Sequence, residues 1–191
     1  MKKLAIIVLN MLNDMVYGGK PYPMPPEFHD EIMPRIIEFV AKAREKGLQI
    51  IYINDAHRPD DPEFTDFETS ELGGRPHAVK GTEGAQVIPQ LTPKETDIIV
   101  EKRRFSGFFN TPLDMILRKL NIETLVFVGR PTNVCVLYTA VDGFFHGYNI
   151  VLITDCLYAA SKEFHESGLK EMIFARKMTS EDFWKEVEKI R

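Results

Sequence analysis

Five side chains in this sequence have types and spacings that could support chemistry: Cys135, Lys102, Asp55, His57 and His77. Cys135 follows the apolar run 124–128 and falls in the opening turn of a helix expected through 134–145. A helix N-terminus stabilises an anion, which predicts a lowered pKa and a nucleophilic sulfur. A small buried hydrophobe is the commoner role of a free cysteine, and position alone favours it. Cys156 follows the next apolar run with no helix start behind it and reads as a packing residue. Lys102 stands just past the run 97–100, in Val100-Glu101-Lys102-Arg103-Arg104-Phe105. There its charge could hold a thiolate or a developing oxyanion, although spacing alone fits a solvated basic cluster better. Asp55 and His57 alternate on an extended segment, so their side chains share a face. With His77 from a distant loop they make a two-histidine, one-carboxylate set suited to zinc or iron, with positions open for water or substrate. The plainer alternative is a pair of surface polar residues beside an unrelated loop histidine.

These residues need a frame that brings them together. Apolar runs at 4–9, 48–53, 97–100, 124–128 and 149–154, with a sixth candidate inside 173–178, alternate with helical patterns. The helices are expected at about 29–46, from Thr111-Pro112, through 134–145, and from Thr179-Ser180-Glu181-Asp182. Proline suits a first helical turn, and a hydroxyl followed by acidic residues caps one. Strands that are apolar throughout and alternate with helices predict an α/β fold: a six-stranded, mostly parallel sheet with helices on both faces. Ligands of such sheets bind beyond the carboxyl ends of the strands. The polar residues there are Asn10, Asn54 to His57, Glu101-Lys102 and Gly129 to Thr132. The stretch at about 58–90, rich in proline and glycine, breaks the alternation and predicts a long functional or lid-like loop.

Length fits a single domain over 1–191. A net charge of −4, with both signs spread along the chain, argues against a nucleic-acid partner, which needs a basic stripe. No run is long enough to span a membrane. The first apolar run is too short for a secretory leader and Asn10 interrupts it. Two cysteines, both in apolar segments, argue against a disulfide framework and for a reducing, cytoplasmic setting.

The motifs together resemble the isochorismatase-like cysteine hydrolase superfamily, in its nicotinamidase-related branch. Ile7-Val8-Leu9-Asn10-Met11-Leu12-Asn13-Asp14-Met15 is similar to that family's V-I-D-M-Q-N-D-F opening. Lys102 to Phe109 is similar to its lysine segment, and Gly129-Arg130-Pro131-Thr132-Asn133-Val134-Cys135-Val136 to its nucleophile segment. Asp55-Ala56-His57 and His77-Ala78-Val79-Lys80-Gly81-Thr82 match the metal site of the branch. The matches run in family order from about residue 4 to residue 160. The resemblance implies a site built of an Asp, Lys102 and Cys135, with zinc or iron on Asp55, His57 and His77. It implies attack of the thiolate on a small-molecule amide, a thioester, and hydrolysis of a C–N bond. It also implies a homo-oligomer, for which Phe144-Phe145 offers either interface or core.

Three positions depart from the pattern. The triad carboxylate is Asn10 here, and an amide cannot accept the thiol proton; Asp14 matches a separate, structural position of the family. Pro131 stands where the family has a cis peptide, so the Arg130–Pro131 bond is expected cis. Proline has no N–H to offer an oxyanion, leaving the N–H groups of Cys135 and Val134. The aromatic residues that hold a pyridine ring in nicotinamidases are replaced by Met15 and Gly74. Phe108, Phe109 and Tyr138 are the candidates for a different apolar wall. Isochorismatase-type or carbamoyl-amide hydrolysis, or a catalytically silent ligand-binding homologue, are the alternatives to a nicotinamidase-like amidase.

Overall fold

Six apolar segments pair into one sheet: β1 (Leu4–Leu9), β2 (Gln49–Asp55), β3 (Ile98–Lys102), β4 (Thr124–Gly129), β5 (Asn149–Leu157) and β6 (Arg176–Met178). Their order is β3-β2-β1-β4-β5-β6, and every pair is parallel. The helices are α1 (Asn13–Val16), α2 (Met33–Glu45), α3 (Pro62–Thr65), α4 (Leu113–Lys119), α5 (Leu137–Phe145), α6 (Lys162–Glu171) and α7 (Ser180–Lys189). The computed structural model describes residues 3–21, 23–65 and 76–189.

Strand β1 shows why the runs are apolar throughout. Ile6 and Val8 face a layer formed by Ile36, Phe39 and Val40 of α2 and Phe183 and Trp184 of α7. Ala5, Ile7 and Leu9 face the opposite layer, with Leu113 and Leu117 of α4 and Ala140 of α5. Successive side chains of a strand point to opposite faces, and both faces are covered, so every position is apolar. Phe39 packs on Trp184 at 4.7 Å and on Phe183 at 5.3 Å between ring centroids. Burial of each such side chain contributes about 1.5–3 kcal/mol.

The chain winds outward from β1 through β2 to β3, then returns to add β4 on the other side of β1. The carboxyl ends of β1 and β4 therefore flank the point where strand order reverses, the ordinary place for a ligand crevice in such sheets.

Two elements differ from the sequence expectation in ways that matter for the site. β3 extends to Lys102, because Glu101 and Lys102 pair with Asn54 and Asp55 of β2. Lys102 is thus the last strand residue, not a loop residue. The helix expected through 134–145 opens with a π-helical turn, Thr132–Val136, before α5 begins at Leu137. Cys135 lies inside this wide turn and not at the first turn of an α-helix. A similar turn, Phe28–Ile32, precedes α2.

Candidate active site

Asn10 leaves β1 with φ of 50° and is fully buried. Short polar side chains are the ones that tolerate this left-handed conformation. Its Nδ2 donates to Cys135 Sγ at 3.2 Å and to Asp55 Oδ2 at 3.0 Å, and its Oδ1 accepts from the Asp55 N–H at 2.9 Å. Lys102 Nζ forms a buried ion pair with Asp55 Oδ1, lies 3.4 Å from Cys135 Sγ and donates to the Arg104 carbonyl at 3.0 Å. The ends of β1, β2 and β3 and the turn after β4 thus meet at one sulfur.

Burial and charge act against each other here. Burial raises the Asp55 pKa, but the Lys102 charge outweighs it and holds the carboxyl below its ordinary value. Burial lowers that of Lys102, and Asp55 with Cys135 outweighs it, leaving the ammonium firmly charged. For Cys135 burial wins: it pushes the thiol up to about 11, with Lys102 offsetting it only in part. The lowered pKa expected from a helix N-terminus does not hold, because the sulfur is 4% exposed and sits in a π turn. Cys156 is buried in the opposite layer and its thiol is also pushed up by burial, in keeping with a packing role.

The turn that carries Cys135 is tightly fitted. Gly129 has φ of 108°, and a Cβ there would stand 2.3 Å from the Leu9 carbonyl oxygen. Only glycine lets the end of β4 approach β1 so closely. The Arg130–Pro131 bond is cis. The Thr132 N–H donates to the Tyr158 carbonyl at 2.9 Å. A Cβ on Gly168 of α6 would come within 2.7 Å of Asn133 Cα, so that helix presses directly on the turn. The Val134 N–H, an expected oxyanion donor, is directed to the Pro131 carbonyl at 3.3 Å. It already has an acceptor, which leaves the Cys135 N–H as the remaining candidate.

Asp55, His57 and His77 are all buried, with one ligand atom of each lying within 4.8 Å of the others. Backbone pairing explains how a loop histidine reaches the end of β2. The His57 N–H donates to the Ala78 carbonyl at 3.0 Å and the Lys80 N–H returns to the His57 carbonyl at 2.9 Å. Asp14 accepts from the Ala78 N–H at 3.0 Å, fastening the same loop from the other side. Asp61 was missed as a site residue. Its Oδ2 lies 3.1 Å from His57 Nδ1, and Arg103 pairs with its other oxygen. Fully buried Asp61 thereby fixes the His57 ring and leaves Nε2 facing the cluster, 4.0 Å from Asp55 Oδ2. A carboxylate behind an imidazole is the usual outer support of a metal-binding histidine.

A cavity of about 320 Å³ opens beside Cys135. Met15 and Tyr138 line it, as expected. Phe108 does not: it packs into the α4–α5 layer and stacks on His146 at 5.0 Å and Tyr148 at 6.0 Å. Phe109 is exposed and also stands outside the cavity lining. Their place is taken by Phe105, stacked on Tyr138 at 5.6 Å, and by Phe164 of α6. Gly74, one of the positions that departs from the nicotinamidase pattern, lies outside the described residues.

Comparison with known proteins agrees with this geometry. The isochorismatase domain model matches residues 4–182. The ureidoacrylate amidohydrolase RutB of Klebsiella pneumoniae is 36% identical over 86% of this chain and 77% of its own length. An isochorismatase-like hydrolase from Alkaliphilus metalliredigens superposes with a TM-score of 0.85 at 36% identity, covering 96% of this chain and 98% of that one. The pyrazinamidase of Pyrococcus horikoshii, solved in complex with zinc, gives 0.80 at 29% identity over 93% and 99%.

Proposed function

The chain belongs to the isochorismatase-domain family, and from that premise we propose that it is a cysteine hydrolase cleaving the C–N amide bond of a small molecule, with a metal-containing, nicotinamidase-like site. The observation that carries the reading is Cys135 Sγ, beside a cavity, with N–H donors of Asn10 at 3.2 Å and Lys102 at 3.4 Å. Both donors stabilise a thiolate over a thiol. In the reaction the sulfur bonds to the amide carbonyl carbon and the C–N bond breaks. The amine leaves with a proton, and water then cleaves the thioester to release the acid. Lys102 holds the negative charge on sulfur, and the Cys135 N–H is the donor available to the carbonyl oxygen.

Asp55, His57 and His77 fit zinc or iron by the chemistry of the donor set, two imidazoles and a carboxylate, and by the Asp61 support behind His57. Such an ion would supply a Lewis-acidic anchor for a substrate heteroatom next to the thiol. The zinc of the Pyrococcus neighbour supports this assignment. The name of the Klebsiella relative supports carbamoyl-type amides as the alternative substrate class.

Asn10 supports a second reading, a homologue that binds a small amide without turning it over, because the residue that touches the sulfur is a donor and not a proton acceptor. Elemental analysis combined with ammonia or amine release over a panel of small amides separates the two. Release that disappears in Cys135→Ala establishes the hydrolase. About one metal per chain, as three converging ligands imply, with no release from any amide establishes the silent homologue. Metal content unchanged in His57→Ala would remove the metal assignment.

Among the described residues no helix is long and apolar enough to cross a membrane. Two unpaired cysteines support a cytoplasmic setting. Phe145, 76% exposed, and Ile173, 87% exposed, support self-association into a homo-oligomer.

A further inference from the structure

Arg130 is 2% exposed and lines the cavity that holds Cys135. Its Nη1 donates to the Met15 carbonyl at 2.7 Å, while its buried Nε has no hydrogen-bond partner among the described residues. No carboxylate among them forms an ion pair with it. Asp55, the carboxylate of the cavity lining, is already paired with Lys102. Burial pushes the Arg130 pKa down to about 10, so the guanidinium stays charged at neutral pH. Cys135 and Asp55 offset part of the burial cost by charge at a distance, but a buried cation without a directly paired anion is still disfavoured unless something else supplies one. Position 10 adds to the imbalance, since the amide of Asn10 brings no negative charge to the same cavity. Arg104 also lines the cavity and brings a second cation to it, while Met15, Phe105, Tyr138 and Phe164 are apolar enough to hold a short carbon skeleton.

We propose that Arg130 is the anion-recognition residue of this cavity, and that the amide substrate is a small carboxylic acid whose carboxylate it binds. The amide half of this statement rests on the hydrolase reading above; the anion half does not. A guanidinium whose Nε lacks a partner among the described residues suits a carboxylate by both charge and geometry.

The test uses two reagents of nearly the same shape and different charge. Iodoacetate and iodoacetamide each alkylate Cys135, the sulfur displacing iodide, and peptide mass spectrometry scores Cys135 apart from Cys156. The expected result is an iodoacetate-to-iodoacetamide rate ratio above that of N-acetylcysteine by about 10-fold or more, the size of a charge-assisted hydrogen bond. In Arg130→Gln the ratio falls to that of the free thiol, and Arg130→Lys keeps part of it. A parent ratio equal to the free thiol overturns the proposal. So does an Arg130→Gln variant that slows both reagents by the same factor, which would make Arg130 a counter-charge of the thiolate.

Because Arg130 is buried, a second measurement needs no variant. Succinamate should protect parent Cys135 from iodoacetamide at about a 10-fold lower concentration than neutral succinamide. Equal protection, or none from either, overturns the proposal. An anion preference that vanishes when the protein is treated with chelator assigns the anion to the metal and also overturns it. None of these readouts requires turnover, so a chain that releases no amine can still pass them, and an active amidase can still fail them.

Discussion

Asn10 uses its whole amide: one N–H on the sulfur, the other on Asp55, and its oxygen on the Asp55 backbone N–H. Replacing it with aspartate keeps the backbone oxygen contact and tolerates the same left-handed φ. It also turns the group facing Cys135 from donor to proton acceptor. Asn10→Asp is therefore expected to raise hydrolysis of a substrate amide by roughly 10²–10⁴-fold, the usual value of general acid–base help. Adding Cys135→Ala should abolish the gain. Amine release by parent, single and double variants checks this, and equal rates in parent and Asn10→Asp would place the proton acceptor elsewhere. The thiol itself gives a second expectation. With its pKa raised to about 11, Cys135 is nearly all thiol at pH 7. The thiolate is the reacting form, so iodoacetamide labelling should rise about 100-fold between pH 7 and pH 9. A flat profile over that range would mean that the sulfur is already ionised.

At the level of elements, Asp61 and the loop around His77 organise the proposed metal cluster. Asp61 meets His57 at Nδ1, the nitrogen away from the cluster, and is itself held by Arg103 and the Arg58 N–H, so it is a positioning residue. Asp61→Asn should weaken zinc binding by about 10–100-fold, the usual cost of losing an outer-shell partner. Competition with a chelator reads this without any turnover, and unchanged affinity would show that His57 is held by its neighbours alone. The proximity of Asp55, His57 and His77 was legible because alternation on a strand puts Asp55 and His57 on one face and a second histidine stood in a proline- and glycine-rich loop. Asp61 was not, since a short polar side chain beside a proline looks the same whether it faces water or an imidazole. Phe108 was misplaced for a similar reason. Its neighbours in sequence approach the cavity, but the ring turns into the α4–α5 layer to meet His146 and Tyr148, contacts that no local pattern announces.

Across the whole molecule, the sheet was readable because strands covered on both faces are apolar at every position, leaving little ambiguity between strand and turn. Strand order was not, since any of several parallel orders buries the same runs. Contact between β1 and β4 depends on Gly129 lying against Leu9, a fit visible only in three dimensions. The burial of Arg130 was equally hidden, because an arginine next to proline in a turn ordinarily reads as surface.

The two cysteines lie in opposite layers of the molecule, Cys135 with α4 and α5 and Cys156 with α2 and α7. They therefore form a natural pair of reporters on how the protein comes apart. Cys135 borders a cavity and should be reached through small local openings, whereas Cys156 is fully buried and should be reached only when the sheet loses its α2–α7 cover. Thiol labelling in increasing urea should show Cys156 tracking global unfolding, with Cys135 reacting at urea concentrations well below the midpoint. If both labelled together at every concentration, the two layers would open as one cooperative unit, and the crevice would be as rigid as the core behind it.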